Sequence, residues 1–314
     1  MTGYRGRFAP TPSGPLHFGS LYTALASWLD ARAAGGRWLL RIDDLDAARC
    51  HPQHTTTILH QLEAHGLIWD ESPRLASRHI AEYRAALERL RRDDRLYYCR
   101  CTRKRLARIQ FAGPDGSVYP GYCRESGFDS GALRLRTTSG QLELNDLFCG
   151  NLLRDAAREI GDFVVCRADG IPGYQLHCAI DEAAQRITRV MRGADLLGST
   201  VRQRIVAAAL RLPSPHYAHL PLVVDVAGYK LSKHNHAQPI DASRAIDNLR
   251  RALVLLEQPA PEPALATPAD ILAFAVAHWR PARIGSSLGR ITAPFPIGLQ
   301  TGDLALSTQR NHGG

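Results

Sequence analysis

Lysine is nearly missing from this sequence. Of its 39 basic residues only Lys104, Lys230 and Lys233 are lysine, and the other 36 are arginine. Such a bias reflects a composition pressure that replaces lysine wherever arginine serves, so the survivors are expected where a compact point charge on a flexible stem is required. Two of the three stand three residues apart in one Gly-containing loop. Long apolar runs are absent too: no stretch of about 18 apolar residues exists, so no segment reads as a membrane span. The opening residues pass straight into Pro/Gly motifs without the apolar core of a signal peptide. Seven cysteines are present, an odd number without the spacing of an extracellular disulfide framework. A cytoplasmic protein with no membrane partner is the expectation.

What is present bounds the answer from the other side. A chain of 314 residues exceeds what one simple core holds, so one large domain with an insertion, or two domains, is expected. Apolar residues make up 45%, enough for a well-buried interior. The formal charge of +9 suits a polyanionic partner, because phosphate neutralisation dominates nucleic-acid affinity, but it equally suits a solvated basic surface.

Arg7–Pro15 reads as a short strand followed by a rigid, Pro- and Gly-punctuated turn. Leu21, Leu25, Trp28 and Leu29 recur at helical spacing, which predicts a helix over 19–34 ended by Gly35-Gly36. A buried strand follows at Arg37–Ile42. Strand, loop, helix and strand within about 40 residues make a βαβ unit and imply a parallel sheet. Amphipathic helices are predicted over 55–69 and 79–95. Residues 97–160 change character, with three cysteines, several glycines and short strand-like pieces such as Ala132–Arg136, and read as an insertion. Phe163–Cys166 and Ile187–Met191 look like returning strands of the main sheet, and 199–211 like its helix. The expected organisation is a nucleotide-binding catalytic domain in two halves (1–96 and 161–240) around the insertion at 97–160. A helical segment (241–285) and a poorly ordered tail (286–314) follow.

Two segments carry phosphate chemistry. The first, Pro10–Ser20, lies between the first strand and its helix, where free backbone N–H groups and the positive end of the helix dipole favour phosphate. Gly19 permits close backbone approach, and His17 can donate to a phosphate oxygen. A Pro-rich turn with a helix-capping serine would look similar. The second, Gly228–His234, holds Lys230 and Lys233 at i and i+3, able to bracket a phosphate chain, with the Ser232 hydroxyl between them. Each is weak alone; together, in this order and about 210 residues apart, they are far more specific.

With these two marks the chain resembles the class I aminoacyl-tRNA synthetases, which carry a HIGH-type turn (here His17-Phe18-Gly19-Ser20) and a KMSKS-type loop (here Lys230-Leu231-Ser232-Lys233). Arg7–Gly14, Arg41–Asp46 and Arg192–Leu197 are similar to the glutamate-activating branch. About 80 residues follow Lys233, short of the anticodon-binding region of glutamyl-tRNA synthetases, so the chain looks like the truncated paralogue family that esterifies glutamate onto the queuosine of tRNA(Asp). The fold implied is a Rossmann-like parallel sheet with an inserted zinc-bearing subdomain and a short C-terminal helical segment.

The resemblance assigns the glutamate pocket to Arg7, Phe8, Ala9, Pro10, Thr11, Asp43, Tyr174 and Arg192. It assigns ATP to Pro10, His17, Gly19, Ser20, Lys230, Ser232 and Lys233, with Mg²⁺ on the phosphates. His17, Lys230 and Lys233 would be the catalytic groups. An arginine fork pairs bidentately with a carboxylate, which suits Arg7 and Arg192, and an acid can hold the ammonium, which suits Asp43. The family usually has Glu at that position, and Asp43 could instead be a strand-end acid paired with Arg41. Tyr174 could be core or pocket wall. Cys99-x-Cys101 and Cys123 offer three thiolates to a structural Zn²⁺, and the resemblance supplies Tyr119 as the fourth ligand of the tetrahedron. Reduced buried cysteines, or a site that has lost its metal, would leave the same spacing.

The expected partners are glutamate, ATP and tRNA(Asp) carrying queuosine, acting on a monomer. Arg100, Arg103, Lys104, Arg105 and Arg108 could steer the RNA or simply be solvated. An ordinary glutamyl-tRNA synthetase and an inactive RNA-binding paralogue are the rival readings.

Overall fold

The computed structural model describes residues 3–224 and 238–285, and the backbone of 290–292. Along the chain run β1 (Arg5–Phe8), α1 (Phe18–Ala33), β2 (Arg37–Ile42), α2 (Pro52–Ala64), β3 (Arg74–Leu75), α3 (Ile80–Arg92) and β4 (Leu96–Cys99). Next come α4 (Arg103–Ile109), β5 (Phe111–Gly113), β6 (Gly116–Val118), β7 (Ala132–Leu135), β8 (Gln141–Asp146), β9 (Gly150–Asp155) and β10 (Phe163–Cys166). The last are α5 (Tyr174–Ala184), β11 (Arg189–Gly193), α6 (Leu197–Ala209), β12 (His216–Leu220), β13 (Leu222–Val224), α7 (Ala245–Leu255), α8 (Pro268–Ala277) and β14 (Arg290–Thr292).

The βαβ unit forms as its sequence dictates. β1 and β2 pair in parallel from Arg5 opposite Arg37 to Phe8 opposite Leu40, with β3 beyond β2. Gly35, at φ 61°, supplies the left-handed residue that stops α1, and the Gly36 N–H closes back on the Ala31 carbonyl at 2.8 Å. β11 lies on the other side of β1: the Thr188 N–H donates to the Arg5 carbonyl at 2.9 Å, and the Arg5 N–H to the Thr188 hydroxyl at 2.8 Å. β11 and β12 pair in parallel, β12 continues to β8, and β8 and β9 form an antiparallel hairpin.

Adjacent residues of these strands enter different cores. Trp38 and Leu40 face α1, α7 and α8, whereas Leu39 faces the side of α3, α5 and α6; Met191 and Val190, and Ala218 and Tyr217, divide in the same way. Strand side chains alternate between faces, so these strands are covered by helices on both sides, with Arg41, Arg192 and His219 buried among the apolar residues.

Phe163–Cys166 is a correction. It does not join the parallel strands; β10 pairs antiparallel with β7, which pairs antiparallel with β4. A four-residue apolar run carries no mark of strand direction, so parallel and antiparallel sheets are indistinguishable in it. Strands of the stretch 97–160 thus share sheets with strands that follow it, β7 with β10 and β8 with β12, and β7 also pairs with β4 at its start. The helix expected at 55–69 starts earlier, because Pro52 suits a first helical turn, and stops earlier, because Gly66 at φ 71° leaves the helical region. The expected tail, 286–314, lies outside the described residues except for the backbone of β14. Among the described residues no helix is long and apolar enough to cross a membrane.

Leu40 is fully buried in β2. Leu40→Ala should lower the free energy of unfolding by about 2–5 kcal/mol, read from urea midpoints at unchanged slope.

Candidate active site

A cleft of about 300 Å³ opens where β1 and β11 end. In open α/β sheets the crevice at the carboxyl ends of the strands is where ligands bind. Arg7, Phe8, Ala9, Pro10 and Thr11 line it from the end of β1, His17, Gly19 and Ser20 from the start of α1, and Tyr174 and Arg192 from α5 and β11. All ten were expected at one site or the other, and they share one cavity. Tyr174 is therefore pocket wall, 37% exposed. Met191, Gly193, Asp195 and Pro221–Val223 also line the cleft; Gly193 and Asp195 fall in the Arg192–Leu197 motif, whereas the sign of the others in the sequence is their position beside the ends of β11 and β12.

His17 is the N-cap of α1. Its backbone is extended (φ −103°, ψ 171°), and its ring nitrogen Nδ1 accepts from the Ser20 N–H at 3.3 Å. The capping places the first N–H groups of a 16-residue helix at the cleft, a ready anion site. The turn is tied to a distant segment: the Ile240 N–H donates to the Leu16 carbonyl at 2.9 Å, and Pro239 bridges His17. Lys230, Ser232 and Lys233 lie outside the described residues, but Val223 before them lines the cleft and Ile240 after them is bonded to this turn.

The two arginines arrive on neighbouring strands, β1 and β11, and each is held by a helix, α5 or α6. Arg7, 4% exposed, donates from Nη2 to Glu182 Oε1 at 2.9 Å, a buried ion pair to α5. Arg192, 3% exposed, donates from Nη2 to the Thr200 hydroxyl and, at 2.8 Å, to Gln203 Oε1. Each keeps one buried nitrogen without a hydrogen-bond partner among the described residues, Nε of Arg7 and Nη1 of Arg192. A buried charged N–H without an acceptor is costly. Both arginine side chains line the one cavity, and two guanidiniums there suit an anion.

Asp43 sits beside the cleft, its N–H donating to the Pro10 carbonyl at 3.0 Å, and Arg41 grips its carboxylate at 2.7 and 3.3 Å, with both side chains almost wholly buried. Residues two apart in a strand project from the same face, so the pair follows from local geometry.

With the cleft described, likeness to known proteins can be weighed. Residues 4–256 match the family of tRNA synthetases class I (E and Q), catalytic domain. The chain belongs to that family. Within it, the chain is 46% identical over 282 residues to the glutamyl-Q tRNA(Asp) synthetase of Methylococcus capsulatus, covering 88% of this chain and 91% of that one. The same-named protein of Thiobacillus denitrificans is 46% identical (87% and 92% covered), and that of Pseudomonas aeruginosa 45% identical (90% and 96% covered). Among solved structures, the glutamate-tRNA synthetase of Elizabethkingia anophelis superposes with a TM-score of 0.75 at 23% identity, covering 93% of this chain and 68% of that one. That likeness shows the fold.

A second cluster lies away from the cleft. Cys99, Cys101, Cys123 and Tyr119 converge: the Cys101 and Cys123 sulfurs are 3.6 Å apart, and the Tyr119 oxygen is 3.7 and 3.6 Å from those of Cys99 and Cys101. Four ligands at about 2.0–2.3 Å on a tetrahedron stand about 3.5–3.8 Å apart, so the spacing fits zinc. Burial pushes the Cys99 thiol up, yet the Cys101 N–H, the Arg134 guanidinium and the Tyr119 hydroxyl outweigh it and bring it to about 7. Burial and the neighbouring sulfurs push the Tyr119 phenol up, so it stays protonated unless a cation displaces the proton. The loop is anchored below by Asp162, which accepts from Arg124, Tyr97 and Thr137 at 2.5–2.9 Å. Cys50, Cys149, Cys166 and Cys178 lie outside this cluster.

Behind Arg192, Asp146 shares a 2.6 Å hydrogen bond with His219. Burial alone would raise the Asp146 carboxyl from its usual 3.8, but His219 and the N–H groups of Cys149 and Phe148 hold it at about 2. A depressed folded pKa means that the unfolded chain binds the proton first, so the stabilisation is complete above pH 3.8 and is lost as pH falls towards 2. Unfolding free energy measured over that window should therefore drop with pH more steeply in the unaltered protein than in Asp146→Asn.

Proposed function

We propose that the protein activates glutamate with ATP, without tRNA, and transfers it to the queuosine of tRNA(Asp). The observation that carries the reading is the pair of buried arginines, Arg7 and Arg192, each with an unpartnered N–H at a cleft that also holds a helix N-terminus. Two guanidiniums in a water-poor pocket suit a side-chain carboxylate and disfavour a neutral amide, because the amide leaves charge unanswered. Glutamyl-Q tRNA(Asp) synthetases, identical at 44–46% and matched over 91–96% of their own length, support the acceptor.

In this reading glutamate lies with its side chain between the arginines and its α-carboxylate towards α1. An oxygen of that carboxylate attacks the α-phosphorus of ATP in line, the bond to the bridging oxygen breaks, and pyrophosphate leaves. No side chain becomes a covalent nucleophile, so catalysis is positioning and charge stabilisation. His17 and the N–H groups at the start of α1 receive phosphate oxygens, Lys230, Ser232 and Lys233 steady the leaving phosphates, and Mg²⁺ shares their charge. A ribonucleoside hydroxyl then attacks the carbonyl of the mixed anhydride and AMP departs. Arg103, Lys104, Arg105 and Arg108, all exposed on α4, offer the RNA backbone a basic face.

Zinc held by Cys99, Cys101, Cys123 and Tyr119 is part of this proposal. It would serve as a structural crosslink between β4, the turn after it and the Tyr119–Cys123 loop.

The decisive experiment is glutamate-dependent ATP–pyrophosphate exchange without RNA, followed by digestion of RNA charged with labelled glutamate. Exchange is expected, with label on the wobble nucleotide; label on the terminal adenosine would instead identify an ordinary glutamyl-tRNA synthetase. Lys233→Ala should slow exchange by about 100-fold or more at an unchanged melting temperature. Metal analysis of the purified protein should find close to one zinc per chain, and Cys101→Ser should bind it far more weakly and melt lower. Zinc content near zero in the unaltered protein would remove the metal from the proposal.

A further inference from the structure

Arg192 is the better braced of the two cleft arginines, and its bracing is a chain rather than a pair. Nη2 spends both its protons, one on the Thr200 hydroxyl and one on Gln203 Oε1. Nε points to His219 Nε2 at 3.5 Å. That same ring nitrogen lies 2.7 Å from the Thr200 hydroxyl. Beyond the ring, His219 Nδ1 meets Asp146 Oδ2 at 2.6 Å, while Asp146 Oδ1 accepts the backbone N–H groups of Phe148, Cys149 and His219 at 2.9–3.1 Å. Asp146, Thr200, Gln203 and His219 are all buried, Thr200 and His219 completely.

Proton bookkeeping fixes the direction of the chain. Arginine has no acceptor, so His219 Nε2, facing Arg192 Nε, must itself accept. The ring proton is then on Nδ1, where Asp146 takes it. Asp146 cannot turn, because its other oxygen already serves three backbone N–H groups. Thr200 accepts from Arg192 and gives its one proton to the ring's single lone pair at 2.7 Å, nearer than the Leu196 carbonyl at 3.3 Å, so the Arg192 Nε–H at 3.5 Å is the longer, weaker sharer of that lone pair. Nη2 is thus fully committed and Nε faces the ring, while Nη1 is the buried nitrogen without a partner among the described residues, on a side chain that lines the cleft. Burial, the largest influence on His219, disfavours a charged ring, in keeping with a neutral tautomer beside a cation.

We propose that Asp146, His219 and Thr200 are positioning residues that lock the Arg192 guanidinium so that Nη1 is presented to the substrate's side-chain carboxylate, setting the preference for glutamate over glutamine. The inference rests on the adenylation reading above. A guanidinium free to rotate would spread its donors over several orientations and lose the preorganised contact.

Thr200→Val is the sharpest probe, since it keeps shape and removes only the hydroxyl. The full-length protein is compared with Thr200→Val, Thr200→Ser, His219→Asn and His219→Gln by ATP–pyrophosphate exchange, by calorimetric titration with glutamate, and by thermal melting. Thr200→Val should raise KM and Kd for glutamate by about tenfold or more, with kcat and KM for ATP changed far less, and should shrink the glutamate-to-glutamine ratio of kcat/KM. Thr200→Ser should restore all of these. His219→Gln, whose amide oxygen can stand in for Nε2, should retain more glutamate affinity than His219→Asn, which cannot reach. Glutamate affinity and selectivity within twofold of the unaltered protein in Thr200→Val, or no recovery in Thr200→Ser, would overturn the proposal. Absence of exchange in the unaltered protein would overturn the adenylation reading instead, and the calorimetric arm would still decide whether the chain orients Arg192.

Discussion

A guanidinium does not shed its proton in a protein, so a fold that buries one must build its surroundings to match. This chain buries three beside its parallel strands. Arg7 is answered by Glu182 on α5, Arg41 by Asp43, and Arg192 by Thr200 and Gln203 on α6. Asp181, next to Glu182, carries the obligation outward, accepting from Arg74 at 2.7 Å and from Tyr83 of α3 at 2.9 Å. The helices behind the strands are therefore fixed by charge as well as by apolar packing, and the ends of β1 and β11 come out with their arginines already oriented.

The apolar contribution follows from alternation along β2, β11 and β12. Each sends successive side chains to opposite cores, so the strands are sealed on both faces and open only at their ends. A crevice at the carboxyl ends is then the place left for a ligand. α1 begins there because Gly14 (φ 158°) and the prolines turn the chain and His17 caps the helix.

Much of this was legible in the sequence. The βαβ start was, because period and punctuation are local: Leu21, Leu25 and Leu29 announce α1, and Gly35 its end. Ten residues that share the cleft were legible through resemblance; the lysine pair, singled out by its rarity, lies outside the described residues. Phe163–Cys166 was misplaced because sheet membership depends on residues far away in sequence. For Asp43 the two readings offered were an ammonium ligand and a partner of Arg41, and the pairing with Arg41 is present. Glu182, Asp146, His219 and Thr200 carried no signal at all. A buried acid and a solvated one look alike in a string of letters, and only the fold brings Asp146 within 2.6 Å of a ring 73 positions later.

Gln61 has a consequence of a different kind. Its side-chain amide accepts the Leu16 N–H at 2.8 Å and donates to the Ile240 carbonyl at 2.9 Å. One buried group in α2 thus splices the turn after the first strand to a segment more than two hundred residues downstream. As the chain emerges from the ribosome, the turn can coil and α1 can form, but neither Gln61 nor Leu16 finds its last partner until residue 240 has been made. The turn before α1 is complete only when residue 240 exists, so a shortened product of interrupted translation would carry the first motif without the scaffold that sets it.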